Sequence, residues 1–164
     1  MSFEIERKFL VIGQDWKKLA ITTSHIRQAY LAAEGALSIR VRIKNDHAAT
    51  LTVKSRGAEL RRLELEYPIP TTDAEALMTR RQGAVIEKVR HDIPWHGLMW
   101  EVDVFSGDNE GLVLAEIELD HERQPFDLPP WIGAEVTFSR KYYNGDLARR
   151  PFRSWAASAV ENVA

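Results

Sequence analysis

Cysteine is missing from all 164 residues. That excludes disulfides, thiolate metal sites and a cysteine nucleophile, and leaves open hard cations held by oxygen ligands. The five histidines (His25, His47, His91, His96 and His121) form no HExxH and no close pair of the kind zinc sites use, and read as surface or loop residues. No run of about 18 apolar residues occurs, and no cationic stretch leads into an apolar one at the N-terminus. The expectation is a soluble, cytoplasmic protein with no membrane partner. Strong net charge is absent as well. At −2 the chain cannot coat nucleic acid or anionic lipid through a bulk positive field, so no nucleic-acid partner is expected and any anion must be captured by a local cluster. There is no low-complexity stretch and no repeat, and Pro129-Pro130 marks a loop rather than a linker. With 45% hydrophobic and 28% charged residues, one domain spanning 1–164 is expected.

What the sequence has in plenty is period-two alternation, the signature of strands with two unlike faces. Glu4, Glu6 and Lys8 alternate with Ile5 and Arg7. In Ser38 to Asn45, Arg40, Arg42 and Lys44 oppose Ile39, Val41 and Ile43. In Thr50 to Arg56, Thr52, Lys54 and Arg56 oppose Leu51 and Val53. Arg62, Glu64 and Glu66 oppose Leu63, Leu65, Tyr67 and Ile69. Glu101 and Asp103 oppose Leu98, Trp100, Val102 and Val104. In Leu114 to His121, Glu116, Glu118 and Asp120 oppose Ala115, Ile117 and Leu119. Val85 to Pro94 is less regular but puts Lys88, Arg90 and Asp92 together, and His25 to Ala33 puts Gln28 with Tyr30. These are eight candidate strands.

Helical signals are few. Asp15 to Ala20 suits one short turn, and a helix is read from Thr72 to Arg81, with Thr72 as N-cap and Glu75 completing a capping box. A third helix is read after Ser139 or Ser154. The tryptophans (16, 95, 100, 131 and 155) are too scattered for a base-stacking platform and read as outer-face packing. The class is α+β, built on a mostly antiparallel sheet or barrel.

A charged residue at every second position is ordinarily a solvated face, and opposite charges across strands add roughly 0.2–1 kcal/mol per pair. Seven strands that repeat the habit, with acids and bases largely sorted by strand, carry more information than any one of them. If the charged faces turn inward, the lumen cannot be dry, because each buried ion costs several kcal/mol unless it is paired, hydrated or metal-bound. Carboxylates at i and i+2 point the same way and can share Mg2+ or Mn2+. Guanidinium forks and ammonium groups suit phosphate oxygens. A cavity with both suits a metal-complexed polyphosphate.

The opening Glu4-Ile5-Glu6-Arg7-Lys8-Phe9-Leu10-Val11 resembles the ExExK signature of the CYTH superfamily, the triphosphate tunnel metalloenzymes. Gln28-Ala29-Tyr30-Leu31, Arg40-Val41-Arg42, Thr52-Val53-Lys54-Ser55, Glu64-Leu65-Glu66-Tyr67, Lys88-Val89-Arg90, Trp100 to Phe105, Ala115 to Leu119 and Glu135-Val136-Thr137 are similar to its successive strands and loop, over nearly the whole chain. The resemblance implies an eight-stranded antiparallel tunnel with a few flanking helices, binding triphosphate with one or two divalent metals. It assigns metal to Glu4, Glu6, Glu64, Glu116 and Glu118, and phosphate to Lys8, Arg40, Arg42, Lys54, Arg56, Lys88, Arg90 and Lys141. It places Lys8 and Tyr30 with Glu4 at the reacting water, and is compatible with a homodimer. The small bacterial inorganic triphosphatases are the most similar members. One departure stands out: where the family often reads Gly-Asp after Glu-Val-Thr, this chain has Phe138-Ser139, which leaves open how that loop closes the tunnel.

Hydrolysis of inorganic triphosphate to pyrophosphate and phosphate is thus the expected activity. Adenylate cyclase chemistry, thiamine, nucleoside or RNA triphosphatase activity, and a non-catalytic polyphosphate-binding module are the alternatives. A nucleoside or thiazolium pocket at the mouth would favour one of the other enzymes, and none is evident in the sequence.

Overall fold

The structure, a computed structural model, describes residues 2–155. Eight strands close into an antiparallel barrel: β1 (Phe3–Val11), β2 (Thr22–Ala32), β3 (Leu37–Lys44), β4 (Ala48–Ser55), β5 (Arg61–Ile69), β6 (Gln82–Trp95), β7 (Leu98–Phe105) and β8 (Val113–Glu118). They run in the order β5-β4-β3-β2-β6-β7-β8-β1, and β5 returns to β1 through Phe3–Leu63, Glu4–Arg62 and Ile5–Arg61. A short ninth strand, β9 (Ile132–Glu135), was not expected from the alternation because four residues are too few to show a period. It pairs with β1 at Phe9 and Val11, so one edge of β1 serves β5 at its start and β9 at its end.

Local chemistry sets the turns. Asn45 and Asp46 link β3 to β4 at φ 52° and 60°, the left-handed region that short side chains able to bond their own backbone tolerate best. His96-Gly97 joins β6 to β7 with φ positive at both residues, which matches the twist of a two-residue hairpin.

The alternation read from the sequence becomes an inside and an outside. On one flank, Ile5, Phe9, Ile93, Trp100, Val102, Ala115 and Ile117 point outward and are covered by Trp16, from the 3-10 turn Asp15–Leu19, and by Trp131. On the other, Ala29, Val41, Ile43 and Ala49 lie under α1 (Thr71–Met78), which contributes Ala74 and Met78. The inward face is charged along most of its length and turns apolar at one end. There Tyr30, Ile86, Phe105 and Leu114 meet Leu147 and Ala148 of α2 (Asn144–Arg149). Burying such a side chain contributes roughly 1.5–3 kcal/mol, so α2 is held as a plug by apolar packing.

Two helix readings change. Helix α1 starts at Thr71, not Thr72. Pro70, locked at φ −58°, occupies the cap position, and no side chain caps the first turn; Glu75 instead takes an ion pair from Arg27. It also stops at Met78 rather than Arg81. After Ser139 come a 3-10 turn, Arg140–Tyr142, and then α2. A helix after Ser154 falls on residues outside those described, apart from Trp155.

Gly83 lies where α2 docks, at φ +74°, and a Cβ there would sit 2.5 Å from the carbonyl oxygen of Ala148. Gly83→Ala therefore combines left-handed strain with a backbone clash. It is expected to lower stability by about 2 kcal/mol or more, read from the urea midpoint. A midpoint equal to wild type would mean that α2 is not fixed at this contact.

Candidate active site

The barrel encloses a cavity of about 890 Å3, lined by nine basic and eight acidic side chains. Strand register places them. Glu6 on β1 stands directly opposite Glu118 on β8, Lys8 opposite Glu116, and Glu116 opposite Glu101 on β7. Across the lumen, Tyr30 pairs with Arg40, Arg40 with Thr52, and Thr52 with Glu66, while Gln28 faces Arg42 and Lys54 faces Glu64.

One wall is an ion network with a buried centre. The Asp103 carboxylate, with no solvent exposure, accepts from Lys88 Nζ at 2.5 Å and from Arg90 Nε and Nη2 at 2.7 Å each. Arg90 reaches on to Glu116 at 3.1 Å and to Glu101, and Lys8 Nζ meets Glu116 Oε1 at 2.8 Å and Glu6 at 3.7 Å. Opposite, Glu4 pairs with Lys54 and, at 3.9 Å, with Arg62, and Arg40 stands 3.8 Å from Glu64 and 3.7 Å from Glu66.

The electrostatics divide these groups. Burial would push Lys8 down, but Glu116 and Glu6 outweigh it and hold the ammonium above its ordinary value. Burial would likewise raise Glu116, but Lys8 and then Arg90 keep it well below the usual carboxylate range. Lys88 goes the other way. Burial takes it down to about 8, against the pull of Asp103 and with the push of Arg90. Arg42 is brought down to about 10 by burial and by its like-charged neighbours Arg40 and Arg90. Its Nε donates to Gln28 Oε1 at 3.0 Å, and among the described residues no carboxylate pairs with it. Arg40 Nε is buried with no acceptor. Both arginines line the lumen with donors that their protein partners do not all satisfy, an arrangement that an anion relieves.

The acids show the complementary strain. Glu6 is raised by burial and by the charges of Glu116 and Glu4. Glu101 is raised from 4.5 to about 7, by burial first and then Glu116, against the opposing pull of Arg90. Facing carboxylates in one register row, all oxygen donors with no sulfur or imidazole among them, fit a hard divalent cation. In their present rotamers each acid leans on a neighbouring cation, and among the described residues no three carboxylates converge on one point.

Most of the residues singled out from the sequence share this lumen: Glu4, Glu6, Lys8, Tyr30, Arg40, Arg42, Lys54, Arg56, Glu64, Lys88, Arg90, Glu116 and Glu118 all line it. Lys141 does not. It is exposed, with its ammonium 5.1 Å from the Tyr142 ring and 4.9 Å from the Trp155 ring, on the outside of the 3-10 turn. The tight turn puts its neighbour Arg140 at the lumen instead. Arg62, Glu66 and Glu101, which strand parity puts on the charged face but to which no role was assigned, line the lumen as well. Asn144, which the resemblance matches to the asparagine of the family's C-terminal segment, lines the lumen from the first turn of α2, and beside it Tyr143, which nothing in a linear pattern marks, lines it too. Asn144 accepts from Lys88 Nζ at 3.3 Å. Phe138 stands 64% exposed on the rim. No histidine or tryptophan lines the tunnel. His91 is half-buried against Trp16, and the other four histidines are exposed.

A closed antiparallel barrel with a two-signed lumen, plugged at one end and strained toward both an anion and a cation, defines an anion-binding tunnel. The CYTH domain family model matches residues 2–150, and the chain belongs to that family. Its enzymes use divalent metals. An inorganic triphosphatase from Acetivibrio thermocellus is 44% identical over 156 residues, spanning 94% of this chain and 99% of that one. An inorganic triphosphatase from Nitrosomonas europaea is 38% identical over 151 residues, spanning 88% and 96%. A solved structure described as an inorganic triphosphatase superposes with a TM-score of 0.65 at 35% identity, covering 90% of this chain and 95% of its own. Among the described residues, no helix is long and apolar enough to cross a membrane.

Proposed function

We propose that the protein hydrolyses inorganic triphosphate to pyrophosphate and phosphate inside the barrel, with Mg2+ or Mn2+ as its metal. The observation that carries this reading is that one lumen holds Arg42, which no carboxylate pairs with among the described residues, and Arg40, whose Nε has no acceptor, across from acids that face one another in register, Glu6 with Glu118 and Glu116 with Glu101. A metal–triphosphate complex supplies the missing charge to both.

In this reading Arg40, Arg42, Lys54, Lys88 and Arg90 hold phosphate oxygens, with Arg56 at the rim. Glu4, Glu6, Glu116 and Glu118 hold the metal, with Glu64 across the lumen. The metal, when bound, neutralises phosphate charge and lowers the pKa of a bound water. The protein's own part is positioning. The basic residues fix the chain of phosphates while water attacks the terminal phosphorus and gives up a proton to a lumen carboxylate, Glu4 in this reading, and the bond to the bridging oxygen breaks with its electron pair leaving on pyrophosphate. Lys8, kept protonated by Glu116 and Glu6, is suited to hold that developing charge, and Tyr30 stands beside it in the lumen.

The test compares release of phosphate and pyrophosphate from triphosphate, ATP and thiamine triphosphate, with Mg2+, Mn2+ and Ca2+ in turn. Triphosphate with Mg2+ or Mn2+ is expected to give the highest kcat/KM; faster formation of cyclic AMP from ATP would replace this reading with a cyclase.

The raised acids add a proton-linked expectation. A carboxyl titrating near 7 still carries its proton at pH 6, whereas a metal needs the ionised form. Divalent affinity should therefore rise with pH through about 7 and flatten above it. Calorimetry of Mg2+ binding at pH 6, in two buffers of different ionisation heat, should show proton release that fades by pH 8. Equal heats in both buffers at pH 6 would remove Glu101 and Glu6 from the metal's surroundings.

A further inference from the structure

The geometry points to Tyr143 as a positioning residue that joins the two sides of the barrel's seam for substrate binding, an inference that rests on the triphosphate reading above. The seam lies along β1. Its edge is covered by β5 only as far as Ile5 and by β9 only from Phe9 onward. Across the gap the chain supplies substitutes for a strand: Lys8 N donates to Thr137 Oγ1 at 3.0 Å, and Val136 N donates to Lys8 O at 2.8 Å.

Tyr143 completes the closure from within. Its backbone is fixed at the start of α2, where its carbonyl accepts from Asp146 N at 3.0 Å and Leu147 N at 2.9 Å. Its hydroxyl donates to Thr137 O at 2.9 Å, anchoring the far end of the ring to the same residue that caps Lys8. Between these anchors the ring lies 5.8 Å from Lys8 Nζ and 5.7 Å from the Arg62 guanidinium carbon, one cation from each strand that parts at the seam. Each cation is otherwise drawn away from the other, Lys8 toward Glu116 and Arg62 toward Glu4. The ring is the partner they share. A π face attracts each cation, so the ring holds one cation from each of the two strands toward the same lumen, alongside the carboxylates that pair with them, Glu6 and Glu116 for Lys8 and Glu4 for Arg62. Tyr142 is the natural contrast: one residue away, it packs outward against Trp155 at 5.3 Å and touches neither cation.

The experiment uses the full chain with Mg2+ and compares Tyr143→Phe, Tyr143→Leu, Arg62→Gln and the Tyr143→Leu/Arg62→Gln double variant. Melting curves confirm that each is folded. Two cation–π contacts together are worth roughly tenfold in binding. Tyr143→Leu is thus expected to raise KM for triphosphate about tenfold with kcat changed less than about threefold, and Tyr143→Phe, which keeps the ring but loses its hydrogen bond to Thr137, to raise KM by only about threefold. In the Arg62→Gln background the loss from Tyr143→Leu should shrink to about threefold, since only Lys8 remains to be held. The same series is read as calorimetric affinity for imidotriphosphate, whose bridging nitrogens resist hydrolysis. Tyr143→Phe as damaging as Tyr143→Leu, an undiminished loss in the Arg62→Gln background, or a fall in kcat at constant KM would each overturn the role assigned to the ring. A wild type that binds imidotriphosphate but releases no phosphate from triphosphate would instead overturn the hydrolysis reading, with the affinity series still deciding Tyr143.

Discussion

Asp103→Ala is expected to destabilise the protein by about 3–5 kcal/mol, the usual cost of removing one partner from a buried ion network. Asp103 has no solvent exposure and is the carboxylate on which both Lys88 and Arg90 converge, by three hydrogen bonds of 2.5–2.7 Å. Arg90 would keep Glu116 and Glu101, but Lys88, only 1% exposed, would keep only the Asn144 amide oxygen. Already brought down to about 8, it would shed its proton more readily still. For a chain of this length the loss corresponds to a drop of roughly 6–20 °C in Tm. A change below about 1 kcal/mol in denaturant titration would mean that the two cations find other partners. Because Asp103 orients two residues proposed to hold phosphate, triphosphate affinity should fall even at temperatures where the variant is folded.

Glu6→Gln separates stability from activity. The ionised form of Glu6 is disfavoured by burial and by the charges of Glu116 and Glu4, and Glu118 faces it across the β1–β8 pair. An amide of the same shape removes that repulsion, so Tm is expected to stay level or rise. Turnover of triphosphate should fall on the order of 10²–10³-fold, the scale seen when one group that stabilises developing charge is lost. Relief of strain paired with loss of function is the usual mark of a residue kept for chemistry. Activity within about threefold of wild type would exclude Glu6 from the metal site.

The barrel and most of its lumen were legible because both follow from one rule, the two-residue period. The strands that alternate charge with Ile, Val or Leu turned most of the charges on that face inward, Lys44 at the exposed end of β3 excepted, and register then brought Lys8 to Glu116 and Arg40 to Thr52. The rule fails where the chain leaves strand geometry. Lys141 was placed at the phosphates by motif position, yet a 3-10 turn has three residues per turn, and it sends Lys141 outward and Arg140 inward. Tyr143 was invisible for the same reason, and the motif position pointed to its neighbour Tyr142, which faces outward. The Thr72 capping box matched a pattern that the fixed φ of Pro70 pre-empted two residues earlier. The apolar end of the lumen was hidden differently: Leu10, Ile86, Phe105 and Leu114 continue the charged rows in parity, and only the docking of α2 explains why they are apolar.

The double use of β1's edge also bears on how the chain is made. β1 is synthesised first, but its partners β5, β8 and β9 begin about 60, 110 and 130 residues later. Contacts so distant in sequence form slowly, and a strand awaiting them exposes its unpaired edge. In most sequences a nine-residue strand ending Phe-Leu-Val would then be a site for sticking to other nascent chains. Here Glu4, Glu6, Arg7 and Lys8 interrupt it with charge, the device by which gatekeeper residues keep exposed strands apart. The residues proposed to handle metal and phosphate in the finished tunnel therefore have an earlier task, keeping the first strand soluble until the last ones emerge from the ribosome.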